Sequence, residues 1–406
     1  MQFLQPSIII EMQNTESLKQ IYGKRFYGFF RFVVKIYNAF VLHAKIRRAY
    51  KTDKPYLMLI NHQSYYDFFY VVRLAGKDYV NFVVADKMSN TKRNRWFIKN
   101  LKAITRGQFS SDFTSIKKIK ATLDAGISVA MFPEGKITAD GVTGKITKST
   151  GKLVKWLGYP VVAANIRGAY SQNPVWNPAL HYHKKSEIEG RLLFSEEDIK
   201  RLSVAEINAA IEQALYVNDN VYTAENRIFR GASRADGLEK LLYTCPFCNS
   251  EYELSASKGK LTCGKCGATF EYTSDGLIAG AGEYDRIDKL YGLQKEIAAK
   301  RADESYCLLE RAVCSVFDKE LPGYRNAGEG TLLLNRDGIR YTGTIDGSRG
   351  ELFFELKNLP AIPFAAGRLI DIYKDGKNYR FGFEKSTRFV LAAEAMFDKF
   401  CAQSAE

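Results

Sequence analysis

Four short apolar runs constrain this chain more than any other feature: residues 55–61 (PYLMLIN), 79–85 (YVNFVVA), 127–132 (ISVAMF) and 160–166 (PVVAANI). Short runs of this kind read as buried strands. The stretches 66–75, 112–125 and 147–157 carry helical spacing, and the last two stop at Gly126 and Gly158, favoured helix ends. Strands alternating with helices predict an α/β layer with a mostly parallel sheet, whose chemistry collects just beyond the strand ends. The second half reads differently. A helical stretch over 196–220 is followed by a cysteine module at 243–273 and a further helical stretch over 284–319. From Thr331 onward, short strands are punctuated by Asp337-Gly338, Asp346-Gly347 and Asp375-Gly376, strong turn signals, before a closing helix at about 387–401.

The charge is as uneven as the pattern. Of the 406 residues, 1–240 hold 37 Lys+Arg against 21 Asp+Glu, whereas 241–406 hold 22 against 24. The whole excess of +14 therefore lies in the first part and points to an anionic partner: nucleic acid, an anionic membrane or a phosphorylated substrate. With 46% hydrophobic and 26% charged residues, the composition excludes disorder and fibre. No run reaches the 18 or so apolar residues of a membrane span. The nearest, 26–42, is broken by Arg31, Lys35 and Asn38, which a helix places on one stripe. Phe29, Phe32, Val33, Ile36 and Phe40 then fill the opposite face, with Lys24, Arg25, Lys45, Arg47 and Arg48 at the flanks. That pattern is expected of a helix lying in a membrane interface, and equally of an amphipathic core helix; the aromatic density beside cations favours the membrane. The start, MQFLQPSIIIEMQ, lacks the basic region and apolar core of a secretory signal, so the thiols are expected to be reduced and intracellular.

His62 stands directly after the first run, in Asn61-His62-Gln63-Ser64-Tyr65-Tyr66-Asp67. A His and an Asp five apart across a strand-to-helix turn can meet, the carboxylate fixing one imidazole tautomer and leaving the other nitrogen as a general base. Phe132-Pro133-Glu134-Gly135-Lys136 follows the third run, and its glycine lets the backbone approach a ligand closely. Together these segments resemble the glycerolipid acyltransferase family of the lysophosphatidic acid acyltransferase type. The Asn61–Asp67 segment matches the family's NHxSxxD signature, Phe132–Gly135 its third motif, and Pro160-Val161-Val162 its fourth, with Gly151 at the usual glycine ahead of it. Arg106 falls at the second-motif arginine. The resemblance covers about residues 40–215 and implies acyl transfer from a thioester, acyl-CoA or acyl-carrier protein, to a hydroxyl of a lysophospholipid, most naturally 1-acylglycerol-3-phosphate. It implies that His62 takes the hydroxyl proton, that Asp67 orients His62, and that neither an acyl-enzyme nor a catalytic metal takes part. It also places Asn61, Ser64, Arg106, Glu134, Gly135 and Lys136 around the substrate. The chain departs from the family after Gly135, where Lys136-Ile137-Thr138 stands in place of a Thr-Arg or Ser-Arg pair; a lysine brings a point charge, not a bidentate fork.

Cys245-x2-Cys248-x14-Cys263-x2-Cys266 resembles a zinc ribbon, two knuckles closing a four-thiolate structural site. Cys307, Cys314 and Cys401 are expected to be buried apolar residues on helices. Residues 327–402 resemble a pleckstrin-homology-like (GRAM-like) domain by their pattern of strands and closing helix. The expected organisation is an amphipathic membrane-binding segment (1–48), an α/β acyltransferase domain with a mostly parallel sheet (49–230), a zinc ribbon (241–275), a helical linker (283–320) and a β-rich PH-like domain (327–406). Because the acyltransferase segment is complete before Cys245, zinc loss is expected to spare His62. The protein is expected at the cytoplasmic face of a membrane, peripheral or monotopic. A nucleic-acid-binding ribbon protein is the alternative, but the ribbon half is net negative, so no nucleic acid is expected. A non-catalytic lipid scaffold has no need of both His62 and Asp67.

Overall fold

The computed structural model describes residues 24–108, 113–177, 185–226, 235–317 and 323–401. The four apolar runs form β2 (Leu57–Ile60), β3 (Val80–Ala85), β5 (Ser128–Met131) and β6 (Val161–Arg167). Three further strands complete their sheet: β1 (Lys45–Ala49), β4 (Ile104–Arg106) and β7 (Glu187–Phe194). The order is β1-β7-β6-β2-β5-β3-β4, and every neighbouring pair is parallel except β6 with β7.

Along β2 the side chains alternate between two cores, as a pleated strand requires. Met58 and Ile60 join the cluster under helices Lys24–Tyr37 and Asp67–Ala75, while Leu57 and Leu59 join the one under helices Phe113–Asp124, Ser149–Leu157 and Val204–Leu215. A sheet covered on both faces explains why its central strands read as uninterrupted apolar runs. Gly151 is a packing residue: a Cβ there would lie 2.5 Å from Asn208 Oδ1 and 2.9 Å from the Val204 carbonyl.

Helix Lys24–Tyr37 has two apolar faces, one buried in the core and one exposed. Tyr27, Phe30 and Val34 are buried in the core, and Arg31 donates to the Gly76 carbonyl at 3.1 Å. Phe29 and Phe32 are 64% and 61% exposed, and Phe40, in the π-helical turn Asn38–Leu42, is 76% exposed. Trp96, edge-on to Phe26 at 5.2 Å, is also exposed. No described helix is long and apolar enough to cross a membrane. Residues 1–23 of the predicted amphipathic segment lie outside the described residues.

The cysteine module is a four-stranded antiparallel sheet, β11-β10-β9-β8, built from β8 (Leu254–Ser257), β9 (Lys260–Cys263), β10 (Thr269–Tyr272) and β11 (Ile278–Ala279). The helix predicted over 284–319 ends early, at Arg301, having begun at Ile287. It is no free linker. Ile287, Leu290 and Tyr291 are buried, and the buried Gln294 amide spans Leu241 and Thr244. Beyond it the chain becomes a strand, β12 (Leu308–Phe317), in which alternate residues are buried. Cys314 is accordingly buried on that strand, whereas Cys307 is exposed just before it and Cys401, following helix Ser386–Phe400, is half-buried; the expectation of three buried helical cysteines holds only for the burial of Cys314.

β12 opens a seven-stranded antiparallel sheet, β15-β14-β13-β12-β18-β17-β16, with β13 (Arg325–Asn335), β14 (Gly338–Ile345), β15 (Ser348–Glu355), β16 (Phe364–Ala365), β17 (Leu369–Lys374) and β18 (Lys377–Gly382). Helix Ser386–Phe400 packs on its core through Phe389, Val390, Ala393 and Met396. Asp346-Gly347 and Asp375-Gly376 make two-residue hairpin turns with positive φ at both positions. Asp337-Gly338 is shifted: Arg336 and Asp337 form the turn, and Gly338 sits in β14, where a Cβ would meet the Phe354 carbonyl at 2.0 Å.

These parts are not independent. One cluster contains Cys245, Leu261 and Phe270 of the cysteine module, Tyr291, Leu391 of the last helix, and Ala139, Tyr170 and Trp176 of the first part.

Candidate functional site

Because β2 and β5 are parallel neighbours, the loops after Ile60 and Met131 leave the sheet at the same edge. That register brings the His62 turn and the Phe132–Gly135 turn together. The segment Pro160–Val162 lies at the opposite edge, where β6 starts beside Leu57, so it builds the strand rather than the site.

The Asp67 carboxylate organises the first turn. Its side chain is 1% exposed, and Oδ2 accepts from His62 Nδ1 at 2.8 Å, Gln63 N at 2.6 Å and Ser64 N at 3.0 Å, while Oδ1 accepts from Ser64 Oγ at 2.8 Å. With an acceptor on Nδ1, the imidazole proton sits there and Nε2 carries the free lone pair. The ring is 22% exposed and stacks on Phe132, centroids 4.2 Å apart. Two contacts therefore fix its plane and its tautomer.

A second buried carboxylate secures the other loop. Glu134 accepts from His62 N at 2.7 Å with Oε1 and from Gly144 N at 2.7 Å with Oε2. Burial pushes its acid group up to about 8, against the pull of those two backbone donors. Gly135, at φ +70°, closes the turn on the Phe132 carbonyl, and Thr138 N returns to the His62 carbonyl at 2.9 Å. The side chain of Gln108, near Arg106 at the end of β4, donates to the Gly135 carbonyl.

Several residues that the resemblance placed around the substrate have partners within the protein. Asn61 is fully buried and spends both amide ends on the Ile166 backbone, at 2.9 and 2.7 Å, tying β2 to β6. Ser64 serves Asp67, and Glu134 serves the two loops. The ammonium of Lys136 is ion-paired with Glu394 of the last helix. Phe132 and Glu394 are contacts that sequence reasoning missed. Phe132 lies inside the quoted motif, but a stack needs coordinates; Glu394 is 258 residues from Lys136 and gives no local signal.

Cys245, Cys248, Cys263 and Cys266 meet in one cluster. Cys245 Sγ lies 3.7 Å from Cys266 Sγ and Cys248 Sγ lies 3.8 Å from Cys263 Sγ, and all four sulfurs fall within 4.8 Å of one another. Sulfurs bonded to one tetrahedral metal at about 2.3 Å stand about 3.8 Å apart, so the cluster fits a metal ion.

Residues 39–167 match the family model described as Acyltransferase, a segment that contains His62, Asp67, Arg106 and Glu134. Among solved structures the chain is similar to the 1-acyl-sn-glycerophosphate (LPA) acyltransferase PlsC from Thermotoga maritima, with 19% identity over 50% of this chain and 79% of that one and a TM-score of 0.37. It is also similar to the Ran binding domain of the nuclear complex component Nup2 from Ashbya gossypii, with 23% identity over 26% of this chain and all of that one and a TM-score of 0.19. No curated protein matches the chain.

Replacing Glu134 by Gln sets an amide NH2 against one of the two backbone donors, at a cost of about 1–3 kcal/mol. The melting temperature is expected to fall as the His62 turn loosens. The pH dependence has a definite sign. The folded protein holds a proton that the unfolded chain releases, so this residue's contribution to stability is full below about 4.5 and is lost as pH rises through about 8. Melting temperature should fall more steeply across that window in the wild type than in Glu134→Gln; equal slopes would show that the carboxyl does not titrate there.

Proposed function

We propose that the protein is a membrane-associated acyltransferase that moves a fatty acyl group from acyl-CoA or acyl-carrier protein to the free hydroxyl of a lysophospholipid, with 1-acylglycerol-3-phosphate as the leading acceptor. The observation that carries this reading is the Asp67–His62 pair, with Nε2 left open beside the Phe132–Gly135 loop. In this mechanism Nε2 takes the proton of the acceptor hydroxyl as its oxygen attacks the thioester carbonyl. The new C–O bond forms, the C–S bond breaks, and the imidazolium returns its proton to the departing thiolate. Asp67 keeps Nε2 facing the substrate and stabilises the imidazolium. Arg106 is the residue proposed to meet the acceptor's phosphate.

His62→Ala is expected to lower acyl transfer by about 10²–10⁴ with the melting curve unchanged. Asp67→Asn should fall steeply too, because its amide end cannot accept from all three donors that meet on Oδ2. Wild-type turnover by His62→Ala, measured as lipid product by mass spectrometry, refutes the reading.

The membrane part of the proposal is supported by the exposed face of Phe29, Phe32, Val33, Ile36 and Phe40, which Trp96 extends. The helix bearing it packs on the helix that starts at Asp67: Phe30 stacks on Phe68 at 6.1 Å and Tyr37 lies 4.8 Å from Phe69. An apolar face in the acyl boundary at the cytoplasmic side would thus hold the site beside its lipid substrate. Phe32→Glu with Phe40→Glu should abolish sedimentation with anionic vesicles, whereas salt should weaken it only partly. Undiminished binding of the double variant would exclude this face.

The ribbon's metal is proposed to be zinc in a closed, structural site, with the seven-stranded module as a PH-like domain beside it. A four-stranded ribbon has little core of its own, and the thiolates supply part of its folding energy. Since its core is continuous with Trp176 and Ala139, metal loss should not stay local, contrary to the expectation from sequence. Cys245→Ser with Cys263→Ser is expected to remove zinc by elemental analysis and to lower the melting temperature of the whole chain in one transition. A ribbon transition separate from an unshifted main transition would contradict this coupling.

A further inference from the structure

Lys136 is the first residue after the Phe132–Gly135 turn, and the last helix has already engaged it through Glu394. The two side chains are 19% and 24% exposed, so solvent still reaches the pair. Apolar packing under it is independent of charge: Leu391 lies in one cluster with Ala139, and Ile137 and Ala395 pack against that cluster. A second ion pair joins the same two parts. Asp371, 4% exposed, accepts from Lys87 at 2.8 Å and from Arg380 at 2.8 and 3.0 Å. Lys145 and Asp398 also meet, but at an exposed position worth little. Docking of the C-terminal part over the His62 edge therefore does not depend on Glu394. Lys295, which also feels the charge of Glu394, has its own partner in Asp140 at 2.9 Å.

We propose that Glu394 is a specificity-determining residue that acts through Lys136: its carboxylate competes with the anionic headgroup of the acyl acceptor for the ammonium, and so holds down the affinity for acceptors bearing a phosphomonoester. This rests on the acyltransferase reading and deepens it. An ammonium has three donors and one charge. A carboxylate already bonded to it uses donors and also sets a negative charge beside an incoming dianion. An acceptor with a neutral headgroup makes no claim on Lys136 and is indifferent to Glu394. The acyltransferase site thus takes part of its selectivity from a residue outside the acyltransferase segment.

The test uses the full chain as wild type, Glu394→Gln, Lys136→Ala and the double variant. Binding of 1-oleoyl lysophosphatidic acid and of 1-oleoylglycerol is measured by calorimetry in detergent micelles without donor; turnover is then measured with oleoyl-CoA. Glu394→Gln is expected to tighten lysophosphatidic acid by about three- to tenfold, the scale of a partly exposed ion pair and its repulsion. 1-Oleoylglycerol should shift by less than about twofold, and KM for lysophosphatidic acid should fall more than kcat changes. In the Lys136→Ala background Glu394→Gln should have no further effect. An equal gain for both lipids, a gain that persists without Lys136, or unchanged lysophosphatidic acid binding overturns the proposal. Should Glu394→Gln melt markedly lower than wild type, Glu394→Asp, which draws the carboxylate back by one methylene, must give an intermediate affinity. Expected binding without acylation of any acceptor would sink the acyltransferase reading and leave the competition for Lys136 standing.

Discussion

Four donors converge on the two oxygens of Asp67 at a point almost closed to water, and the geometry of the surrounding turn follows from that need. A buried carboxylate without partners is too costly to keep, so the chain before it must turn back and aim two backbone N–H groups at it. Ser64 supplies a third donor, and the imidazole a fourth. The donor position of His62 is therefore set by the same acceptor that holds the turn. Asn61 completes the arrangement from the other side: with its amide locked on Ile166, the end of β2 cannot drift away from β6. Residues that a motif groups as a site thus divide the work, and most of them hold His62 rather than meet a ligand.

Glu134 repeats the device one strand away. Its two oxygens bridge the His62 and Gly144 backbone, and the loop it anchors places Phe132 against the imidazole. Two buried acid groups at the same sheet edge would repel if both were ionised; burial pushes the Glu134 acid group up to about 8, against the pull of its two backbone donors, while Asp67 is met by four donors. Cations remain available at the rim. That separation, acid groups inside and lysines outside, keeps the proposed competition for Lys136 between Glu394 and an anionic ligand apart from the buried groups that hold His62.

Much of this was legible in the chain. Strands with both faces covered announce themselves as apolar runs, so β2, β3, β5 and β6 could be placed within a residue or two. β1, KIRRA, lies at the sheet edge with its side chains largely exposed and carries no such mark; β4 has three residues. The helix expected through residue 319 ends at Arg301, and from Leu308 the chain is a strand because β12 pairs with β13 and β18; pairing across 9 to 69 residues of sequence overrides local preference. The cysteine spacing specified its own geometry, since two CxxC knuckles leave little freedom. The histidine, the aspartate and their turn could be paired from spacing alone, but which polar atoms were already satisfied could not. Asn61 and Ser64 look like ligand contacts until their partners are seen.

The charge asymmetry illustrates the same limit. An excess of +16 in the first 240 residues reads as a demand for an anionic partner. Part of that demand is met within the molecule, by Asp371 for Lys87, Glu394 for Lys136 and Asp398 for Lys145. The slightly acidic second half is thus one anionic partner of the first, joined to it over an apolar core that does not vary with salt. Surface pairs such as Lys145–Asp398 weaken as salt rises, but the buried Asp371 between Lys87 and Arg380 is screened far less. Cations such as Lys92, Arg93 and Lys99, on the helix that carries the exposed Trp96, have no part in these contacts. Net charge alone merges these two populations; only their positions separate the lysines that hold the halves together from those left facing an outside surface.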